Sequence, residues 1–132
     1  MFSSSGIIKY DPVSEAGRFQ HWWMIVNCDK EFKDYYGWFI RKERFEKVAT
    51  SVWGVHITVI RGEKPINQEL WGKYEGMQIP FQYWGELNTN GCHWWMEIHS
   101  PELLRIREDL GLNREPSAPL HMTFGRVTQR NC

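Results

Sequence analysis

The sequence predicts an α+β domain built from antiparallel strands, and three observations predict it. Residues 77–87 and 93–99 alternate apolar and polar positions around Asn90-Gly91, a dipeptide suited to a tight hairpin turn. Phe32, Tyr35, Tyr36, Phe39 and Ile40 recur at helical spacing. Two strands 65 residues apart, 55–60 and 120–127, carry the same polar pattern. The resulting order is strand, helix, strand, then hairpin, helix, strand. At 132 residues the chain fits one domain, spanning 1–132, and no linker rich in Gly or Ser divides it.

Each element has its local reason. Residues 1–18 begin Ser-rich and are expected to be partly mobile. His21-Trp22-Trp23-Met24-Ile25-Val26-Asn27 is a short apolar run suited to a buried strand, with His21 in a structural role. Asp29 is a good N-cap for a helix reaching about Arg44, despite Gly37 inside it. After the strand at 55–60, a loop or short helix runs to about Tyr74. In the hairpin, Met77, Ile79, Phe81 and Tyr83 share one face and Trp94, Met96 and Ile98 complete it. Ser100-Pro101-Glu102 starts a second helix, Leu103, Ile106 and Leu110 form its buried stripe, and Gly111 stops it.

Composition narrows the partners. Lys plus Arg equals Asp plus Glu, at 16 each, so no strong field draws in long nucleic acid. Eight tryptophans exceed what a small core usually takes, which leaves rings to stack on a flat ligand. Trp22, Trp23, Trp38 and Trp94 sit in apolar runs or a helix and are expected in the core. Cys28, Cys92 and Cys132 are odd in number and lack C-x-x-C spacing, so a disulfide framework or zinc knot is not expected and a reducing cytoplasm is the simpler reading. The N-terminus lacks signal-peptide character and no stretch is apolar enough to span a bilayer, so a soluble protein with no membrane partner is expected.

The matching strands carry the chemistry. Val55-His56-Ile57-Thr58-Val59-Ile60-Arg61 and Leu120-His121-Met122-Thr123-Phe124-Gly125-Arg126 both read apolar, His, apolar, Thr, apolar, with Arg five places after the His. Alternate side chains of a strand share a face, so each imidazole stands with a hydroxyl about 7 Å along the chain. Cleaving a phosphodiester requires a base for the attacking hydroxyl or water and an acid for the leaving oxygen. Two imidazoles titrating near neutrality meet both needs, with either histidine in either role. The threonine hydroxyls suit the charge that builds on the phosphate oxygens. A single His-x-Thr is usually structural; two copies on matched strands point to catalysis. The arginines lie at an odd offset from the histidines, so an ideal strand turns them away, as surface charges first and phosphate clamps second.

In His56-Ile57-Thr58-Val59 and His121-Met122-Thr123-Phe124 the chain resembles the two-histidine (2H) phosphoesterase superfamily. That resemblance implies a bilobal fold, two antiparallel sheets related by a pseudo-twofold with helices outside and one motif from each lobe in a central cleft. It covers the chain from about His21 to Val127. Within the superfamily, Trp53-Gly54-Val55-His56-Ile57-Thr58-Val59-Ile60-Arg61-Gly62-Glu63, Thr89-Asn90-Gly91 with His93-Trp94-Trp95, and Pro101-Glu102-Leu103-Leu104 leading to Leu120-His121 are similar to the small phage phosphodiesterases that oppose CBASS immunity. The implied activity is metal-independent hydrolysis of 3′-5′ linkages in cyclic di- or trinucleotide messengers, without a cofactor, in the host cell cytoplasm. His56, Thr58, His121 and Thr123 are the catalytic candidates.

Trp84, Trp95, Glu97 and Tyr10 are the candidate ligand contacts. A two-residue turn at Asn90-Gly91 sets Trp84 opposite Glu97 and Glu86 opposite Trp95, with both tryptophans on the polar face. Base stacking explains rings there; so does a small secondary cluster covered by the N-terminal segment. Tyr10 lies in a segment able to fold over a ligand. His93 and His99 share the polar face with Glu97, but six residues along one strand is too far to chelate one ion, so no metal is expected. Two rival functions are a 2′,3′-cyclic phosphodiesterase acting on RNA ends and a non-catalytic sponge for cyclic nucleotides.

Overall fold

Antiparallel pairing carries the chain through nearly every neighbouring strand. The computed structural model describes residues 1–12, 22–50 and 54–132. Its strands are β1 (Phe2–Tyr10), β2 (Trp23–Cys28), β3 (Val48–Ala49), β4 (His56–Arg61), β5 (Gln78–Tyr83), β6 (Asn88–Thr89), β7 (His93–His99) and β8 (His121–Val127). The helices among the described residues are α1 (Lys30–Arg44) and α2 (Pro101–Asp109), with a 3₁₀ turn at Gln68–Leu70. Sheet order is β3-β8-β4-β2-β1-β5-β7-β6, and an added β7–β8 pairing closes six of the strands into a ring. The α+β class therefore holds, but the strands form one continuous closed sheet where the sequence suggested two.

The predicted local signals act as expected at both helices. The Asp29 carboxylate accepts from the Glu31 N–H at the start of α1, and Ser100 Oγ accepts from the Leu103 N–H at the start of α2. Phe32 and Ile40 of α1, and Leu103, Leu104 and Ile106 of α2, join Ile8, Val26, Ile57, Ile79, Phe81, Met96, Met122 and Phe124 in one core on a single face of the sheet. Trp94 also belongs to that core, whereas Trp38 is 45% exposed under the Lys42 ammonium. Trp38 lies on the outer side of α1, so its expected core position is corrected.

The N-terminal segment is not a loose flap. Residues 2–10 form β1, hydrogen-bonded to β2 on one side and β5 on the other. Tyr10 consequently sits in the core, edge-on to Trp71, with its hydroxyl pushed up to about 12 by burial. It faces away from the His-x-Thr residues, which corrects its candidacy as a ligand contact. His21 and Trp53 lie outside the described residues.

Two tertiary links were not foreseen. Cys92 and Cys132 form a disulfide between the β6–β7 turn and the C-terminus, so the odd cysteine count hides one pair and leaves Cys28 as the remaining thiol. Arg107 on α2 is 1% exposed and forks onto both Glu63 oxygens, at 2.8 and 2.9 Å, while also donating to the carbonyls of Val59 and Asn113. That guanidinium holds the Glu63 carboxyl below its usual range. It fastens α2 to the end of β4, the strand bearing the first motif. No helix among the described residues is long and apolar enough to cross a membrane.

Arg107→Leu strips four hydrogen bonds from this junction and leaves two carbonyls and a half-exposed carboxylate without their donor. A loss of about 2–4 kcal/mol is expected, discounted from a fully buried pair for the exposure of Glu63. Urea unfolding of the variant checks it, and a change below 1 kcal/mol contradicts the role.

Candidate active site

β4 and β8 lie side by side, with His56 facing Thr123 and Ile57 facing Met122. Continuing that register one place faces Thr58 with His121. Each histidine therefore stands across from the threonine of the other motif. Ile57, Val59, Met122 and Phe124 are buried in the core, while His56, Thr58, His121 and Thr123 are half-buried on the opposite face. The two histidines are diagonal neighbours across adjacent strands, a spacing of about 7–8 Å from residue to residue. A tetrahedral phosphate fits between two imidazoles at that separation.

The sheet extends this quartet into two polar rows. One row runs Ile7, Asn27, His56, Thr123, Trp95 and Asn88; the other runs Lys9, Ile25, Thr58, His121 and Glu97. Ile25 is fully buried on this face and gives the rows an apolar floor. Trp23 Nε1 lies 3.5 Å from Thr58 Oγ1, and its ring stands edge-on to His56 at 6.3 Å. Trp95 stands edge-on to His121 at 6.5 Å. Each histidine thus has one tryptophan wall.

Both imidazoles are held in the same tautomer. His56 Nδ1 is 3.1 Å from the Gly54 carbonyl, and His121 Nδ1 is 2.9 Å from the Pro119 carbonyl, two residues back in each case. A carbonyl only accepts, so Nδ1 carries the hydrogen and Nε2 is the nitrogen that gains or gives a proton. Burial lowers the pKa of His56 below the ordinary 6.5; the Gly54 contact opposes this, and the Arg61 and His121 charges add to the lowering.

The arginines come back to this face. Met24 pairs with Ile60 but Ile25 pairs with Thr58, so Val59 is an extra residue in β4. The bulge shifts the alternation by one, and Arg61 sits opposite Trp23 with its guanidinium 5.0 Å over that ring. In β8, Trp94 pairs with Gly125 but Trp95 pairs with Thr123, so Phe124 is the extra residue and Arg126 faces His93. The expected outward turn of both arginines holds only for an unbulged strand.

The hairpin register needs a similar correction. Tyr83 faces Ile98 as the two-residue turn requires, but β6 is displaced by two places, so Asn88, not Glu86, faces Trp95. A two-residue displacement preserves faces. Trp95 therefore remains on the polar side beside Thr123. Trp84 lies beyond the end of β5, 54% exposed, and lines a hollow of about 360 Å³ with Glu86, Asn88 and Glu97. Trp84, Trp95 and Glu97 are gathered at the His121 end of the quartet. Among the described residues, no three His, Cys, Asp or Glu side chains gather as metal ligands would.

Sequence reasoning missed Trp23 and Asn27. The apolar run that holds them shows no alternation, since Ile25 and Trp23 are buried on the site face while Met24 and Val26 fill the core. The polar ending of that run at Asn27 was the available signal. Comparison with protein families, curated proteins and solved structures finds no match to this chain.

The lowered pKa of His56 has a definite consequence. The unfolded chain takes up this proton near pH 6.5 and the folded chain only at lower pH, so the stability involved is present above 6.5 and lost as pH falls below it. In a proton NMR titration, His56 should titrate below 6.5 and move upward in Arg61→Gln. Titration of His56 at or above 6.5 contradicts the burial described here.

Proposed function

We propose that this chain is a metal-independent phosphodiesterase of the two-histidine type, hydrolysing 3′-5′ linkages of cyclic di- and trinucleotides. The observation that carries the reading is the β4–β8 register, which sets each histidine against the threonine of the other motif on one half-buried face. A ligand held there meets two Nε2 atoms and two hydroxyls.

The two-lobed reading has its own support. Exchanging β1 with β5, β2 with β7, and β4 with β8 returns the same ring order. The exchange also carries α1 into α2 by chain position, and the bulge after Met24 into the bulge after Trp94. α1 packs on β8 and α2 on β4, as the exchange requires. The single closed sheet then reads as two half-sheets joined along β4–β8 and β1–β5.

The chemistry follows from the held tautomers. His56, kept neutral by burial, is the base: its Nε2 takes the proton as a water or ribose 2′-hydroxyl attacks phosphorus. The bond to the leaving oxygen breaks as His121 Nε2–H protonates that oxygen. Thr58 and Thr123 donate hydrogen bonds to the non-bridging oxygens as their charge grows. Trp95 and Trp84 offer flat faces to the bases, and the balanced net charge suits a small nucleotide over a long polymer.

Incubating the protein with cyclic dinucleotides, cyclic trinucleotides and 2′,3′-cyclic mononucleotides, with excess EDTA present, tests the assignment. His56→Ala and His121→Ala should each lower turnover by roughly 10²–10⁴-fold while the protein remains folded. Near-normal turnover in either variant overturns the two-histidine mechanism.

Trp84→Ala should raise KM for a cyclic dinucleotide by the equivalent of about 1–3 kcal/mol while keeping kcat, and thermal melting should barely change because the ring is exposed. Unchanged KM with intact melting removes Trp84 from the ligand surface.

A further inference from the structure

The helix-covered side of the sheet has an opening of its own at the start of β1. Phe2 and Ser4 share a face with Ile8 and Tyr10, so they lie on the core side of β1, across the sheet from the histidines. A hollow of about 470 Å³ lies between them and the first turns of α1. Phe2, Tyr83, Phe32, Tyr36 and Tyr35 form an unbroken run of rings around it, with successive centroids 5.4, 5.2, 6.4 and 4.8 Å apart. Phe2 and Tyr35 are 56% and 55% exposed, so ring faces stand open to a ligand.

The charge beside these rings has one sign. Asp29 and Glu31 line the hollow, and among the described residues no basic side chain does. Helical spacing sorts the charges of α1. Glu31 and Tyr35, and Phe32 and Tyr36, stand one turn apart on this side, whereas Lys30 is drawn to Asp34 at 3.9 Å and Lys33 lines a separate hollow with Arg41 and Lys47. Asp29 is held by its cap on the Glu31 N–H, and Glu31 stands exposed. Ring faces attract a cation through their quadrupole, and the two carboxylates add to that attraction, so the hollow suits an organic cation.

The backbone next to the hollow is open as well. β1 pairs with β5 back to Phe2 but with β2 only from Gly6, so residues 2–5 have a strand on one side only. The Ile8 N–H donates to the Met77 carbonyl on the β5 side, and the Asp11 N–H donates to the Trp23 carbonyl on the β2 side. Alternation from these two bonds points the backbone N–H and C=O of Ser3 and Ser5 to the open side. Such an edge accepts an extended peptide as a further strand. A strand added there carries every second side chain on the helix side, next to Phe2 and Ser4. We propose that residues 2–5 take an extended segment of a partner protein as an added strand, with a lysine or arginine of that segment in the aromatic hollow. The edge holds the backbone whatever its sequence; the rings and carboxylates select the basic side chain. A free amine would satisfy the hollow and leave the edge unused, which favours a peptide. The proposal makes no use of the histidines and stands or falls apart from the phosphodiesterase reading.

The test is a titration of the full, isotope-labelled chain followed by NMR. The probe is an acetylated, amidated pentapeptide of threonine and valine with arginine at its centre. Matching peptides carry leucine or glutamate at the centre, and methylguanidinium serves as the free cation. The arginine peptide should shift the amides of Ser3 and Ser5 and the ring signals of Phe2, Tyr35 and Tyr83. The leucine peptide should bind about threefold more weakly and the glutamate peptide roughly tenfold more weakly. Glu31→Gln and Phe2→Ala should each weaken the arginine peptide by about two- to fivefold while the rest of the amide spectrum stays in place, since both side chains are exposed. Three results overturn the proposal: no binding of the arginine peptide at millimolar concentration, equal binding of all three peptides, or binding that leaves Ser3 and Ser5 unmoved. Methylguanidinium binding as tightly as the peptide also overturns it, because the edge would then contribute nothing.

Discussion

The register between β4 and β8 is the constraint on which the site depends. With His56 facing Thr123 and Ile57 facing Met122, two short motifs become one four-membered cluster. A slip of one residue would turn the histidine and threonine of one motif into the core and bring that strand's apolar residues to the opposite face, so the register is fixed by the same apolar packing that holds the sheet. The burial of Ile57, Val59, Met122 and Phe124 therefore supports function indirectly: it determines where the polar side chains point. The Arg107–Glu63 fork adds a second hold by fastening α2 beside the end of β4.

Closure of the ring follows from the position of β8, which borders β4 and β3 on one edge and β7 on the other. Its first edge changes partner near Gly125, where the Ala49 carbonyl lies so close that a Cβ would meet it at 2.5 Å, and where φ is +153°. Glycine at that place admits β3 and also permits the bulge that carries Arg126 round to the site face. One small residue thus links the closure of the sheet to the face on which Arg126 lies.

Much of this was legible in the sequence, for identifiable reasons. Strict alternation in 55–59 and 120–124 named the four polar residues and their common side. Asp29, Ser100 and Gly111 bounded the helices because capping is a local interaction. What escaped was nonlocal or broke the alternation. Trp23 sits in a strand apolar on both faces, so nothing distinguished it from core. The arginines were turned the wrong way because a bulge is invisible to a period of two, although paired apolar residues before each one, Val59-Ile60 and Phe124-Gly125, mark the place. The Ser-rich start of β1 hides the strand that carries Tyr10, and its pairing on both sides compensates for weak local preference. The Cys92–Cys132 bond joins residues 40 apart that only the folded C-terminus brings together.

The most direct test of the account is the β4–β8 register itself, read from nuclear Overhauser contacts in isotope-labelled protein. The account predicts cross-strand contacts between His56 and Thr123 and between Thr58 and His121, with Ile57 contacting Met122. Contacts of His56 to Met122 or Phe124 in their place would mean that the two motifs do not share a face, and the site described here would not exist.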